Sequence, residues 1–371
     1  MSPPRAVARA LVLEAPRRLV ERELPLPTIG DDDALLRVEA CGLCGTDHEL
    51  FTGALAWPTG FIPGHETIGT IDAVGDAAAA RLGVRAGDRV AVASRPACRN
   101  CPRCLGGHLH ACSRFSGADS YGLLPVDRAP GLWGGYATHH YLGPDTVLHL
   151  VPASLDPVEA TLFNPLGAGI AWGVELPGTG PGDTVAVLGP GIRGLAALVA
   201  AKAAGAGAVM VTGCGPRDAS RLALARQLGA DLTIDVLDQD PVEALLEATG
   251  RLADVVVDVT ANAPGAFAQA IELAARDGRV VIAGIRGGPV TVTVQPDLIT
   301  NRGLRIIGAS GVSTSAHARA LELLAGGDAL GAPIPRREAG FDGIAHLLAT
   351  MAGETDDVAP VHAVFVPDPA S

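Results

Sequence analysis

The sequence predicts an α/β protein in two parts, a β-rich barrel-like domain and a doubly wound parallel sheet. Three observations carry this. The 371 residues exceed one ordinary core and suit two domains. Up to about Asp156 the chain reads as strands separated by turn signals such as "RAGD". Beyond Leu166, strands alternate with helices every ~25 residues, the pattern of βαβ units.

In the first part the expected strands are "ARALVLEA", "DALLRVEACG", "ETIGTIDAVG", "DRVAVAS" and "GGYATHHYL". In the second part "TVAVLG" is a short apolar strand and "IRGLAALVAAKAAGA" a helix. "AVMVTG", "DLTID", "DVVVDVT", "RVVIAGI" and "LRIIGAS" supply five further strands. "DASRLALARQLGA", "DPVEALLEATG" and "APGAFAQAIELAARDG" are the helices between them. The tail from Gly311 reads as helical and is expected to return to the first domain. The expected division is therefore 1–165 with 311–371 for the β-rich domain, and 166–310 for the sheet domain.

The formal charge of −12 and the lack of a basic stripe argue against a nucleic-acid partner and suit small molecules. No apolar run approaches the ~20 residues that span a bilayer. The N-terminal stretch "MSPPRAVARALVLEAPRRLVERE" lacks the apolar core of a signal peptide. A cytoplasmic protein is expected.

In "VAVLGPGIRGLAA", Gly189, Gly191 and Gly194 form G-x-G-x-x-G between a strand and a helix, with Ile192 and Arg193 inside the loop. This context marks a dinucleotide site of the Rossmann type. Its glycines let a pyrophosphate approach the N–H groups that open the helix. Arg193 has two readings, reaching a phosphate or pointing to solvent. The second strand ends at Gly213, where an NAD site usually has an acid for the ribose 2′-hydroxyl. The missing acid, with Arg217 and Arg221 following, favours NADP over NAD. The alternative is that Arg221 stacks on adenine and Asp218 supplies the carboxylate.

The seven cysteines are odd in number, and four crowd into "CRNCPRCLGGHLHAC". Cys98, Cys101, Cys104 and Cys112 have the spacing of a four-thiolate zinc site, which leaves no open position and is therefore structural. His108 and His110 between them read as loop residues. Upstream, Cys44 in "CGLCGTDHELF" and His65-Glu66 in "GFIPGHETIGTIDAVG" are metal-compatible donors on adjacent loops. Cys41 completes a C-x-x-C with Cys44, but it closes a strand and reads as a buried filler rather than a redox partner.

The "GLCGTD" loop, "GHE", "GDRV", the four-cysteine lobe, "GGYA" and "GPGIRG" occur in an order that resembles the zinc-dependent medium-chain alcohol dehydrogenases, in the branch of polyol and threonine dehydrogenases. The resemblance implies a GroES-like catalytic domain carrying a structural zinc lobe at 95–115 and a Rossmann domain. It implies a catalytic zinc on Cys44 and His65 with Glu66 beside it. Asp47 would accept from the His65 ring, Thr46 would relay the substrate proton, and His48 would be an outer relay or merely face solvent. The activity implied is NAD(P)-dependent interconversion of a secondary alcohol and its carbonyl, in a homodimer or homotetramer. "VTVTVQPDLI" is a candidate pairing edge for such an oligomer. Phe51, Trp57 and Tyr121 are candidates for the substrate pocket or for core.

One position departs from that pattern. The family's third carboxylate ligand falls at Asn164 in "FNPLG". An amide oxygen is a weak zinc donor. Three arrangements stay open: zinc on Cys44, His65 and Glu66 with Asn164 nearby; zinc on Cys44, His65 and Asn164; or no catalytic zinc. Two alternatives stand beside the alcohol dehydrogenase reading, a zinc-independent reductase of an activated C=C or quinone, and a catalytically impaired nucleotide-binding protein.

Overall fold

The computed structural model describes residues 6–261, 263–286, 290–327 and 334–367. The chain divides into two compact units, Met1–Asn164 with Pro335–Ser371, and Pro165–Ile334.

The first unit opens on the antiparallel hairpin Val7–Ala15 and Arg18–Pro25. The first strand starts with the alternation its sequence dictates: Val7 and Arg9 face out, Ala8 and Ala10 face in. A seven-stranded sheet follows, ordered Arg336–Ala339, His362–Phe365, Ala34–Leu43, Glu66–Val74, Arg89–Val92, Leu148–Leu150, with His139–Leu142 also paired to Ala34–Leu43. The core beneath it holds Phe61, Tyr136, Phe365, Leu13 and Leu36. Phe51 and Tyr121 are buried in this core, and Trp57 packs against it while donating to the Leu123 carbonyl.

The second unit is a six-stranded parallel sheet ordered Leu232–Asp235, Ala208–Gly213, Thr184–Leu188, Ala253–Asp258, Ala274–Ile282, Arg305–Gly308. Its strands run 3-2-1-4-5-6 in chain order, the doubly wound arrangement. Thr184–Leu188 is buried throughout, because a parallel strand covered on both faces must be apolar on both. The order reverses between this strand and Ala253–Asp258, and the crevice for a ligand lies beyond their carboxyl ends.

Three expectations differ from what is observed. The tail from Gly311 to Gly327 packs in the second unit rather than returning to the first. Trp172 donates to the Gly311 carbonyl, Ser313 to Glu175, and Ala316 and His317 are buried. The helix in "APGAFAQAIELAARDG" stops at Leu273, and Ala274 already begins the next strand; pairing with Ala253 outweighs the helix propensity of two alanines. Residues 290–295 form no strand among the described residues; the edge is Arg305–Gly308, after the helix Pro296–Arg302.

Candidate active site, metal centres and dinucleotide loop

The helix Gly45–Thr52 starts where the strand Ala34–Leu43 ends, and Cys44 is the turn between them. The Cys44 N–H donates to Asp47 Oδ2 at 2.9 Å, a local bond that fixes the first turn. Asp47 is buried, and its Oδ1 lies 3.7 Å from His65 Nδ1. The other ring nitrogen, His65 Nε2, lies 3.2 Å from Cys44 Sγ. Tetrahedral zinc holding one sulfur and one imidazole nitrogen sets them ~3.5 Å apart. Donor atoms of Cys44, His65 and Glu66 all lie within 4.8 Å of one another. Burial alone would depress the His65 pKa, but the Cys44, Asp47 and Glu66 charges outweigh it and lift it to about 10. The pocket electrostatically favours a cation. Thr46 and His48 sit on the same helix turn, both half-buried, with His48 Nε2 4.0 Å from where a Cβ on Gly45 would lie.

Asn164 stands at the start of the helix Phe163–Ile170, and its Nδ2 donates to Glu66 Oε1 at 2.6 Å. The first of the three arrangements left open by the sequence has Asn164 near a ligating Glu66; here the Asn164 amide donates to Glu66, and Cys44, His65 and Glu66 together could hold a metal ion. Cys41 is fully buried, and burial pushes its thiol well above the usual range, as befits a filler.

In the lobe, the short helix Pro102–Leu105 is capped by Cys101, whose sulfur accepts from the Cys104 N–H at 3.5 Å. Four sulfurs around one tetrahedral zinc at ~2.3 Å stand ~3.8 Å apart. The observed separations are 3.5 Å for Cys98–Cys112, 4.0 Å for Cys98–Cys104 and 4.0 Å for Cys101–Cys112. The fit is close, and all four donors are used. Neither His108 nor His110 belongs to the cluster.

In the second unit, Gly189 has φ 101°, a conformation that favours glycine. A Cβ on Gly194 would fall 1.9 Å from the Gly189 carbonyl, so helix and turn close only without one. Gly191 caps the helix Ile192–Ala203, with Ile192 its first residue. Arg193 is half-buried, and its guanidinium lies over the Trp172 ring at 5.3 Å from the centroid. Trp172 carried no signal in the sequence for this contact.

Gly213 ends the second strand, and a Cβ there would meet Asp218 Cβ at 2.9 Å and Leu222 at 3.2 Å. Asp218 is itself committed: Oδ2 accepts from the Cys214 N–H at 2.9 Å, and Oδ1 lies 3.6 Å from Arg221. Arg217 is exposed and in no ion pair among the described residues. The sequence reading also missed Arg286, which pairs with the buried Asp258 at the carboxyl end of its strand and donates to the carbonyls of Thr260 and Gly284.

A parallel dinucleotide-type sheet in one unit, and in the other a barrel domain with a four-thiolate lobe and a Cys-His-Glu cluster, define a zinc-dependent dehydrogenase class. Comparison with known proteins agrees. The family model for the alcohol dehydrogenase GroES-like domain matches residues 30–153, and that for zinc-binding dehydrogenase matches 194–326. A Mycobacterium tuberculosis protein named as a probable alcohol dehydrogenase is 61% identical over 98% of this chain and 99% of its own. The sorbitol dehydrogenase of Bacillus subtilis is 33% identical over 75% of each chain. A zinc-binding dehydrogenase from Sinorhizobium meliloti, solved bound to NADP, superposes with TM-score 0.83 at 29% identity, covering 98% of this chain and all of that one.

The chain belongs to the zinc-dependent medium-chain alcohol dehydrogenase superfamily. It is an alcohol oxidoreductase that uses zinc and a nicotinamide cofactor. The zinc-independent reductase reading gains no support from these relatives. No helix among the described residues is long and apolar enough to cross a membrane.

Proposed function

We propose that the protein interconverts a secondary alcohol and its ketone with NADP, and that Cys44, His65 and Glu66 hold the catalytic zinc. The observation that carries this is the convergence of those three donors within 4.8 Å, with Thr46 and His48 on the helix turn that follows Cys44. When bound, zinc supplies Lewis acidity toward an alcohol or carbonyl oxygen, and the nicotinamide carries the hydride. The chain's own residues do the rest. Asp47 faces His65 Nδ1 and keeps Nε2 turned toward Cys44. The Thr46 hydroxyl takes the alcohol proton and passes it outward, with His48 as the relay toward solvent. Cys98, Cys101, Cys104 and Cys112 hold a second, structural zinc. The N–H groups at Gly191 and Ile192 receive the pyrophosphate, and Trp172 steadies Arg193 beside them.

The NADP preference rests on the second strand's end. Gly213 has no space for an acid, and the carboxylate of Asp218 is spent on its own turn and on Arg221. Arg217 and Arg221 then face a 2′-phosphate. The relative named sorbitol dehydrogenase supports a hydroxylated secondary-alcohol substrate. The protein acts as a cytoplasmic homodimer or homotetramer. The sheet edge Arg305–Gly308, with half-exposed Ile306 and exposed Val290 near it in sequence, supports pairing of two copies.

The test is kcat/KM for NADP and NAD on a panel of secondary alcohols, with zinc counted per chain. We expect two zinc ions and at least ~10-fold preference for NADP, lost in R217A/R221A with NAD turnover unchanged. Equal use of both cofactors by the wild type refutes the NADP assignment, and one zinc per chain with full activity refutes the catalytic metal.

A further inference from the structure

We infer that Asn164 is a positioning residue: its amide N–H holds the Glu66 carboxylate in place as the third metal donor, a task that a carboxylate at 164 cannot perform. The inference rests on the reading that Cys44, His65 and Glu66 bind the catalytic zinc, and it adds a role for the one position where the expected ligand is missing.

Glu66 is 2% exposed, and a carboxylate so placed needs hydrogen bonds or a cation. Its two oxygens are located by different means. Oε1 receives the Asn164 Nδ2 donor at 2.6 Å, a short bond to a charged acceptor. Oε2 occupies space left by a missing side chain. Gly42 is Glu66's partner across the antiparallel ladder, and a Cβ on it would fall 2.5 Å from Oε2. An ionised carboxylate offers about four acceptor positions, so one oxygen can take the Asn164 donor while the group also ligates a metal.

Asn164 is anchored in turn. Three residues earlier, Thr161 is fully buried; its hydroxyl donates to the Val158 carbonyl at 2.6 Å and lies 2.9 Å from His362 Nε2 on the strand His362–Phe365. Thr161 also packs at Gly42, where a Cβ would meet its own at 3.3 Å. The donor therefore comes from a segment tied to the same sheet that carries Glu66.

Charge decides the residue type. An Asp at 164 would put a second anion 2.6 Å from Glu66, where both cannot ionise without a cation between them, and one would swing away or take a proton. Asparagine removes that competition. The set Cys44 thiolate, neutral His65 and Glu66 carboxylate then balances a divalent ion with no amide oxygen required. The site is a single fixed ligand set rather than one that shares its metal between two carboxylates.

The test uses full-length zinc-loaded protein, and the same protein with Co²⁺ in the catalytic site. Wild type, E66Q, N164A and N164D are compared by zinc per chain, by the rate of zinc release to a chelator, and by the visible cobalt spectrum. The four-cysteine zinc, retained in each variant, reports an intact fold. E66Q is expected to lose the catalytic ion. N164A is expected to release it about 10–100-fold faster, with a changed cobalt spectrum. N164D, isosteric with the wild type and so the safer variant for folding, is expected to change the spectrum because a second carboxylate enters the site. Wild-type release and spectrum in N164A, or an unchanged spectrum in N164D, overturns the role of Asn164. E66Q that keeps both ions and the wild-type spectrum overturns the ligand set itself, separately from Asn164.

Discussion

Arg286→Leu is expected to cost the second unit about 3–5 kcal/mol, the penalty for removing one partner of a buried ion pair. Asp258 is 0% exposed at the end of a central strand. Its Oδ1 accepts from the Thr260 N–H at 3.0 Å and from the Thr260 hydroxyl at 2.6 Å. Its Oδ2 faces Arg286, so the variant leaves that oxygen buried without its counter-charge. The same change frees the Thr260 and Gly284 carbonyls that Arg286 now bonds. At ~2.1 cal/mol/K per residue over a unit of about 170 residues, the melting temperature should fall by about 10 °C. Scanning calorimetry of wild type, R286L, D258N and the double variant measures it. The double variant should be more stable than R286L, because the uncompensated charge is gone. A loss under ~1 kcal/mol in R286L, or no recovery in the double variant, refutes the argument that a buried charge sets the cost.

Acid should weaken the first unit through His140. This ring is fully buried, meets the Tyr121 ring edge-on at 4.7 Å, and has neither nitrogen hydrogen-bonded among the described residues; burial pulls its pKa from 6.5 down to about 3. The unfolded chain binds the proton first, so the contribution is complete above pH ~6.5 and declines as pH falls toward ~3, by about 2 kcal/mol at pH 5. H140F should flatten that limb in unfolding curves taken between about pH 4 and 8; identical slopes in the two proteins would count against it. Cys104→Ser should remove about one zinc per chain and open the lobe to trypsin at Arg99 and Arg103, while E66Q should leave the lobe resistant. Equal resistance of the C104S lobe would show that packing, not metal, holds it.

Both architectures were legible because their periodicities are strong. "VAVL" and "VVV" are apolar on both faces, as strands in a covered parallel sheet must be, and the glycine loop lies between one of them and its helix. The four-cysteine spacing needs no tertiary information, since one turn brings three sulfurs together. Long-range contacts were not legible. The 311–327 segment has a helical pattern whichever unit it joins, and only the Trp172 and Glu175 contacts decide between them. Asn164 could be flagged as a departure, but its contact with Glu66, 98 positions away in sequence, is a tertiary one between a helix and a strand. Arg193 was ambiguous because its partner, Trp172, lies upstream of the first strand of the sheet.

The crowding at Gly213 bears on how cofactor choice in this enzyme can change. A favoured route to a different nicotinamide would be one substitution, an acid at the end of the second strand. Here that side chain collides with Asp218, which in turn shapes the loop through the Cys214 N–H. An engineer, or a lineage drifting by single changes, meets a step that is unfavourable before it is useful. Moving Asp218 first releases the turn and the Arg221 contact; inserting the acid first strains the backbone. On the NADP assignment proposed above, a switch of cofactor would therefore need a pair of changes made together.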